Sequence, residues 1–161
     1  SDVLRPGQRV EFRLPRVHGV ANIQEAVAGG PMLVENDRVS VDLQREDFAG
    51  GAPPITFSTD ETFDQNLLPR LAVGTTPDHN LIFAAVDGRN FERALGLTLH
   101  RTARLMRLLG CSNALNLDGG SSKRMVVSGK TVDLPSTEVV TDSEPSTEVR
   151  PVHTAILIHP R

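Results

Sequence analysis

The sequence predicts an α+β fold, a mostly antiparallel sheet of short hairpin-linked strands covered by one dominant amphipathic helix. Three observations carry this. Short apolar runs alternate with turn residues, most clearly where Leu71 to Gly74 and Leu81 to Val86 flank Thr76-Pro77-Asp78-His79-Asn80. A single segment, from Thr98 to Gly110, repeats apolar residues at helical spacing. The chain has 161 residues, 39% hydrophobic and 23% charged, which suits one domain, residues 1–161, around one core.

The elements follow in order. Val10, Phe12 and Leu14 alternate with charged residues as a half-buried strand does, and Pro15 stops them. Met32-Leu33-Val34 and Val39-Ser40-Val41, joined through Glu35-Asn36-Asp37, read as a short hairpin. Residues 44–66 are polar, with Gly50-Gly51 and Pro53-Pro54, and predict a long loop. The Leu71 and Leu81 strands come next. In the helix, Leu99, Ala103, Met106 and Leu109 form the apolar stripe, Thr98 is the N-cap and Gly110 a left-handed C-terminal cap. Arg101, Arg104 and Arg107 read as its solvated face. An apolar run then ends at Asp118-Gly119-Gly120, followed by a strand at Met125 to Val127, a turn at Ser128-Gly129-Lys130 and a last strand at Thr154 to Ile158. The near repeat of Pro135-Ser136-Thr137-Glu138-Val139 in Pro145-Ser146-Thr147-Glu148-Val149 is too short in period for a solenoid and reads as a surface loop.

Composition narrows the function. A net charge of −3 and a pI near 5.9 argue against a nucleic-acid partner, whose affinity depends on Lys and Arg neutralising phosphates. No apolar run approaches the roughly 18 residues of a membrane span, and Ser1 opens no signal-peptide pattern. Cys111 is the only cysteine, which excludes an internal disulfide, and it reads as a buried structural thiol. His153 and His159 share a strand face without a third candidate ligand, so no metal is expected there.

The residues that can carry chemistry gather at turns. In a strand, Asn116 and Asp118 point to one face, Leu115 and Leu117 to the other. Gly119 and Gly120 allow a sharp turn whose N–H groups can face an anion, and Ser121 and Ser122 add hydroxyls. A carboxylate, an amide, backbone donors and two hydroxyls at one turn suit a phosphate or sugar beside a catalytic acid or base. Asp87-Gly88-Arg89 ends an apolar strand and offers a phosphate-binding fork with a carboxylate that orients it or acts beside Asp118. Arg70 is a second candidate phosphate ligand, and Gly29-Gly30-Pro31 can bring backbone close to a ligand.

Taken in order, Gly29-Gly30-Pro31, Pro69-Arg70 before Ala72-Val73-Gly74, Asp87-Gly88-Arg89, Gly96-Leu97-Thr98 and Asn116 to Ser122 resemble the phosphodiester glycosidase domain family. The resemblance runs from about residue 4 to residue 158. It implies hydrolysis of a sugar-1-phosphate diester, a glycan or small-molecule sugar-phosphate as substrate, no cofactor, and a secreted or cell-surface setting. Asp118, Asp87 and Asn116 become the catalytic candidates; Arg70, Arg89, Gly119, Gly120, Ser121, Ser122 and Gly30 become the substrate-binding ones. Three departures stand out. The family reads Pro-Arg-Thr-Ala where this chain has Pro69-Arg70-Leu71-Ala72. It reads Gly-Gly-Gly-Ser-Ser-Thr where this chain has Gly119-Gly120-Ser121-Ser122-Lys123-Arg124, two added charges expected to favour an anionic substrate. Family domains also begin with an Asn-Gly-x-Phe-Phe-like stretch that residues 1–28 do not contain, so the chain is expected to correspond to the later part of the domain. That gap motivates an alternative from another class, a non-catalytic sugar-phosphate binding or assembly module completed by a second polypeptide.

Overall fold

The computed structural model describes residues 26–46, 65–90, 92–136, 151–152 and 154–159. The expected strand at Val10 to Leu14, most of the loop at 44–66, the near repeat beyond Ser136 and His153 lie outside these residues. Two hairpins and a helix make up the body. Strands β1 (Met32–Glu35) and β2 (Arg38–Val39) pair antiparallel around Asn36 and Asp37. Both turn residues have positive φ, 48° and 67°, the conformation that matches a two-residue turn to the twist of its strands. Strands β3 (Arg70–Thr75) and β4 (Leu81–Val86) form the second hairpin, in register from Arg70 opposite Val86 to Thr75 opposite Leu81.

Strand β5 (Asn113–Leu117) joins the two, giving a five-stranded antiparallel sheet in the order β2-β1-β5-β3-β4. Between β1 and β5 the register slips: two steps from Met32 to Val34 match one from Leu115 to Ala114. Such a bulge breaks the alternation of faces, and it lets neighbouring Leu33 and Val34 both be fully buried.

One face of the sheet is covered by α1 (Leu99–Leu108). Thr98 caps it as expected, its hydroxyl accepting from Arg101 N at 3.2 Å. Leu99, Ala103 and Met106 are fully buried against Leu33, Val34, Ala72 and Ala114. Leu109, expected to extend the stripe, is instead 44% exposed. The helix ends at Leu108 with Leu109 as its C-cap, and Gly110 closes it in the left-handed conformation expected: at φ +90° it donates to Arg107 O, and Cys111 N donates to Met106 O. This paired closure turns the chain back and puts Cys111, not Leu109, into the core beside Met106. Arg107 also departs from the solvated face, bonding Cys111 O and Asp37 Oδ1 at 2.8 Å and so tying the helix end to the β1–β2 turn.

Burial pushes the Cys111 thiol up from its ordinary range, with the Arg107 guanidinium opposing. The folded thiol therefore holds its proton more tightly than the unfolded one, and its contribution to stability is complete below pH 9 and lost as pH rises above it. The native chain is expected to resist a thiol-specific reagent at pH 8 and to react once denatured. Stoichiometric labelling of native protein would refute this burial.

Two further differences appear in the last third. The strand after Met125 is a hairpin of its own, β6 (Val126–Val127) with β7 (Lys130–Thr131), turning on Ser128 and Gly129 rather than through Lys130. The strand expected at Thr154 to Ile158 is not formed: these residues pair in no ladder, and Leu157 and Ile158 are 77% and 68% exposed. Alternating side chains give a strand its faces, but hydrogen bonds to a neighbour make it one, and no described strand supplies them. No helix among the described residues is long and apolar enough to cross a membrane.

Candidate active site

Three of the turn motifs, those of Asp87, Gly96 and Asp118, meet at a fourth, the short segment Leu68-Pro69-Arg70. Leu68 and Leu97 exchange backbone hydrogen bonds at 3.2 and 3.0 Å, bringing Gly96-Leu97-Thr98 to its side. Gly120 N donates to Pro69 O at 3.0 Å, bringing in the Asp118 turn. Approach is close enough to require glycine: a Cβ on Gly88 would lie 2.7 Å from Pro69 N, one on Gly119 2.5 Å from Pro69 O, and one on Gly96 2.5 Å from Leu68 O. Gly30 meets the same centre through β5, its N–H donating to Asn116 O at 2.8 Å after which the cis Gly30-Pro31 bond follows.

Strand parity decides which side chains face solvent. Arg70 shares its face with Ala72, under the helix, and is 2% exposed. Its Nε donates to Leu97 O and its Nη2 to Asn66 O, both at 3.1 Å, so it ties the approaching segments together. Asn116 lies opposite Ala72 and is buried too. Its Nδ2 donates to Gly30 O at 2.9 Å, and its Oδ1 is buried without a donor among the described residues. Its amide thus addresses the Gly30-Pro31 turn and not Asp118. Asp118, one residue past the strand, is exposed, and no described side chain or backbone donor engages its carboxylate.

Around the turn, Gly119 to Ser122 close on themselves. Gly120–Ser122 forms a single 3-10 turn in which Ser122 N donates to Gly119 O at 3.0 Å. Two of the N–H groups expected to face an anion, those of Gly120 and Ser122, are therefore used internally. Positive charge comes instead from Arg89. This residue holds a left-handed φ of +53°, and its Nη1 lies 3.7 Å from where a Gly120 Cβ would stand, so the guanidinium sits over the turn.

Asp87, Lys123, Asp133 and Arg124 form a cluster that the sequence did not disclose. Lys123 is fully buried, with Nζ 2.5 Å from Asp87 Oδ1 and 2.9 Å from Asp133 Oδ2. Arg124 Nη1 reaches Asp133 Oδ2 at 3.2 Å. Two cations face two carboxylates, so the charges expected to favour an anionic substrate are balanced internally. One signal for this was present: the Ser128-Gly129 turn sets the β6–β7 register, which two further steps extend to Arg124 opposite Asp133 and Lys123 opposite Leu134. Glu46 was missed as well; its two carboxylate oxygens accept from Met32 N at 2.8 and 3.0 Å, just after the Gly30-Pro31 turn. Among the described residues no group of three His, Cys, Asp or Glu side chains is placed to hold a metal ion.

The chain belongs to the phosphodiester glycosidase family, whose model matches residues 3–159. It is 39% identical over 67 residues to mouse N-acetylglucosamine-1-phosphodiester alpha-N-acetylglucosaminidase, covering 42% of this chain and 13% of that protein. It is 40% identical over 65 residues to the SPbeta prophage-derived uncharacterized protein YomE of Bacillus subtilis, covering 40% of this chain and 10% of the relative. The matches thus span a small part of these relatives' lengths. Among solved structures, the catalytic domain of the zebrafish enzyme of the same name, auto-inhibited by its pro-peptide, shares the fold at a TM-score of 0.56 and 22% identity, over 76% of this chain and 39% of that one. A hypothetical protein from Synechocystis aligns at a TM-score of 0.51 and 27% identity, over 66% of this chain and 17% of its own.

Proposed function

We propose that this member of the phosphodiester glycosidase family hydrolyses a sugar-1-phosphate diester, with Asp118 as the reacting carboxylate and Arg89 as the phosphate ligand. The observation that carries the reading is that Asp118, an exposed carboxylate with no partner among the described residues, opens the same turn, Asp118 to Ser122, over which the Arg89 guanidinium sits. In the reaction, water adds to the anomeric carbon as the bond from that carbon to the phosphate oxygen breaks. The phosphate monoester leaves with the bonding electrons, and the proton of the water passes to Asp118 and then to solvent. A phosphate monoester leaves readily, so the chain needs little acid at the leaving oxygen. What it needs is a base near the sugar and a cation at the phosphate.

The remaining residues support these two. Gly119, Ser121 and Ser122 offer the rim on which a sugar can rest, and Gly30 is held beside it by Asn116. Arg70 fixes the Leu68-Pro69-Arg70 segment beneath the turn. Asp87 has Oδ1 occupied by Lys123 and Leu134 N and offers only Oδ2, so its part is to hold the turn that carries Arg89.

The test offers the full chain a sugar-1-phosphate diester alongside the matching aryl glycoside without phosphate. Release of a phosphate monoester from the diester alone is expected, and Arg89→Met should raise KM for it about tenfold. Equal cleavage of both compounds, or of neither, would remove the basis for this reading.

A further inference from the structure

Lys123 is unusual before any function is considered. It has no exposed surface, and it is the largest fully buried side chain among the described residues. Its ammonium donates to Asp87 Oδ1 at 2.5 Å and to Leu134 O at 3.2 Å, and it pairs with Asp133 Oδ2 at 2.9 Å. Removing such a group from water is costly, and an apolar side chain of the same length would fill the space without that cost. A charged residue here adds direction, because its bonds fix where its partners lie.

The partners are informative. Lys123 directly follows the Gly120–Ser122 turn, on the same strand of chain as Asp118. Asp87 begins the Asp87-Gly88-Arg89 turn. One bond, from Lys123 Nζ to Asp87 Oδ1, therefore joins the two halves of the site to each other. Asp87 Oδ1 also accepts from Leu134 N at 2.9 Å, so the same oxygen secures the far end of the β6–β7 hairpin. Arg89, two residues on from Asp87, is held at φ +53° with its guanidinium above Gly120.

We infer that Lys123 is a positioning residue for the reaction: through Asp87 it holds Arg89 in register with the Asp118 turn, and so sets the affinity for the phosphate-bearing substrate. This rests on the reading of the site given above. Lys123 touches no substrate in this account. It acts on binding only by fixing the distance between the carboxylate turn and the arginine turn.

Two variants of the full chain test it. Lys123→Met keeps the length and removes the charge; it leaves Asp87 without its cation and is expected to melt lower. The double variant Asp87→Asn, Lys123→Met removes one charge of each sign and leaves Asp133 paired with Arg124, so it keeps the chain folded. With a sugar-1-phosphate diester, both folded variants should show KM raised about tenfold and kcat within about threefold of wild type. A purely structural role would lower the active fraction, and hence kcat, and leave KM alone. Wild-type KM in the folded double variant overturns the inference. A second readout does not depend on turnover: the Leu134 amide should lose hydrogen-exchange protection in both variants while the Gly30 amide, bonded to Asn116 O, keeps it. If the wild-type chain cleaves no diester, the functional reading fails, and retained Leu134 protection would then separately overturn the clamp.

Discussion

Asp118→Asn is expected to lower kcat/KM for a sugar-1-phosphate diester about 10³-fold, the range lost when a positioned base is removed, while the melting temperature stays within about 1 °C of wild type. The two halves of this expectation come from one observation. Asp118 is exposed, and no described group bonds its carboxylate, so no described contact depends on the charge. The substitution keeps shape and removes basicity. The result is read by steady-state kinetics beside a thermal melt, and turnover near the wild-type rate in a folded variant would mean that another group does the chemistry.

The second large effect is on stability. Gly96→Ala is expected to cost about 3 kcal/mol or more, because two penalties coincide. Gly96 has a φ of +104°, and an added Cβ would stand 2.5 Å from both the carbonyl carbon and the oxygen of Leu68, backbone atoms that cannot swing aside. Gly110 supplies the control, since its φ is +90° but a Cβ there meets nothing within 4 Å. Gly110→Ala should cost only about 1 kcal/mol, the conformational share alone. The difference, measured from denaturant midpoints, isolates the close packing of Gly96 on Leu68. Equal losses at the two glycines would show that this contact is not tight.

What sequence could reveal depended on whether a feature was local. The β1–β2 turn was legible because Asn36 and Asp37 tolerate positive φ, and the helix because Thr98 and Gly110 mark its ends. The strand after Ser128-Gly129 was not, because Lys130 and Thr131 show no apolar alternation and pair only through the turn geometry. The Thr154 to Ile158 segment shows the opposite failure: the alternation is there, and no described strand pairs with it. In the site, the five turns were readable in order, and parity along β3 already puts Arg70 on the face of Ala72, beneath the helix. The burial of Lys123 was hidden for a deeper reason. A lysine in a polar run looks solvated unless carboxylates converge on it; the β6–β7 hairpin brings Asp133 locally, but only the tertiary fold brings Asp87 there.

The strand order has a consequence for how the protein comes into being. Strand β5 lies between β1 and β3, yet it is made after all four other strands of its sheet. As the chain leaves the ribosome, the two hairpins wait with their inner edges open until Asn113–Leu117 slots between them. Closure therefore rests on pairings distant in sequence, which are slow to form and leave edges exposed meanwhile. Asp118 follows directly on the strand that completes the sheet. In a nascent or half-folded chain the proposed centre is thus unassembled, and the Asp118 turn meets Arg89 only when the last piece of the sheet is in place.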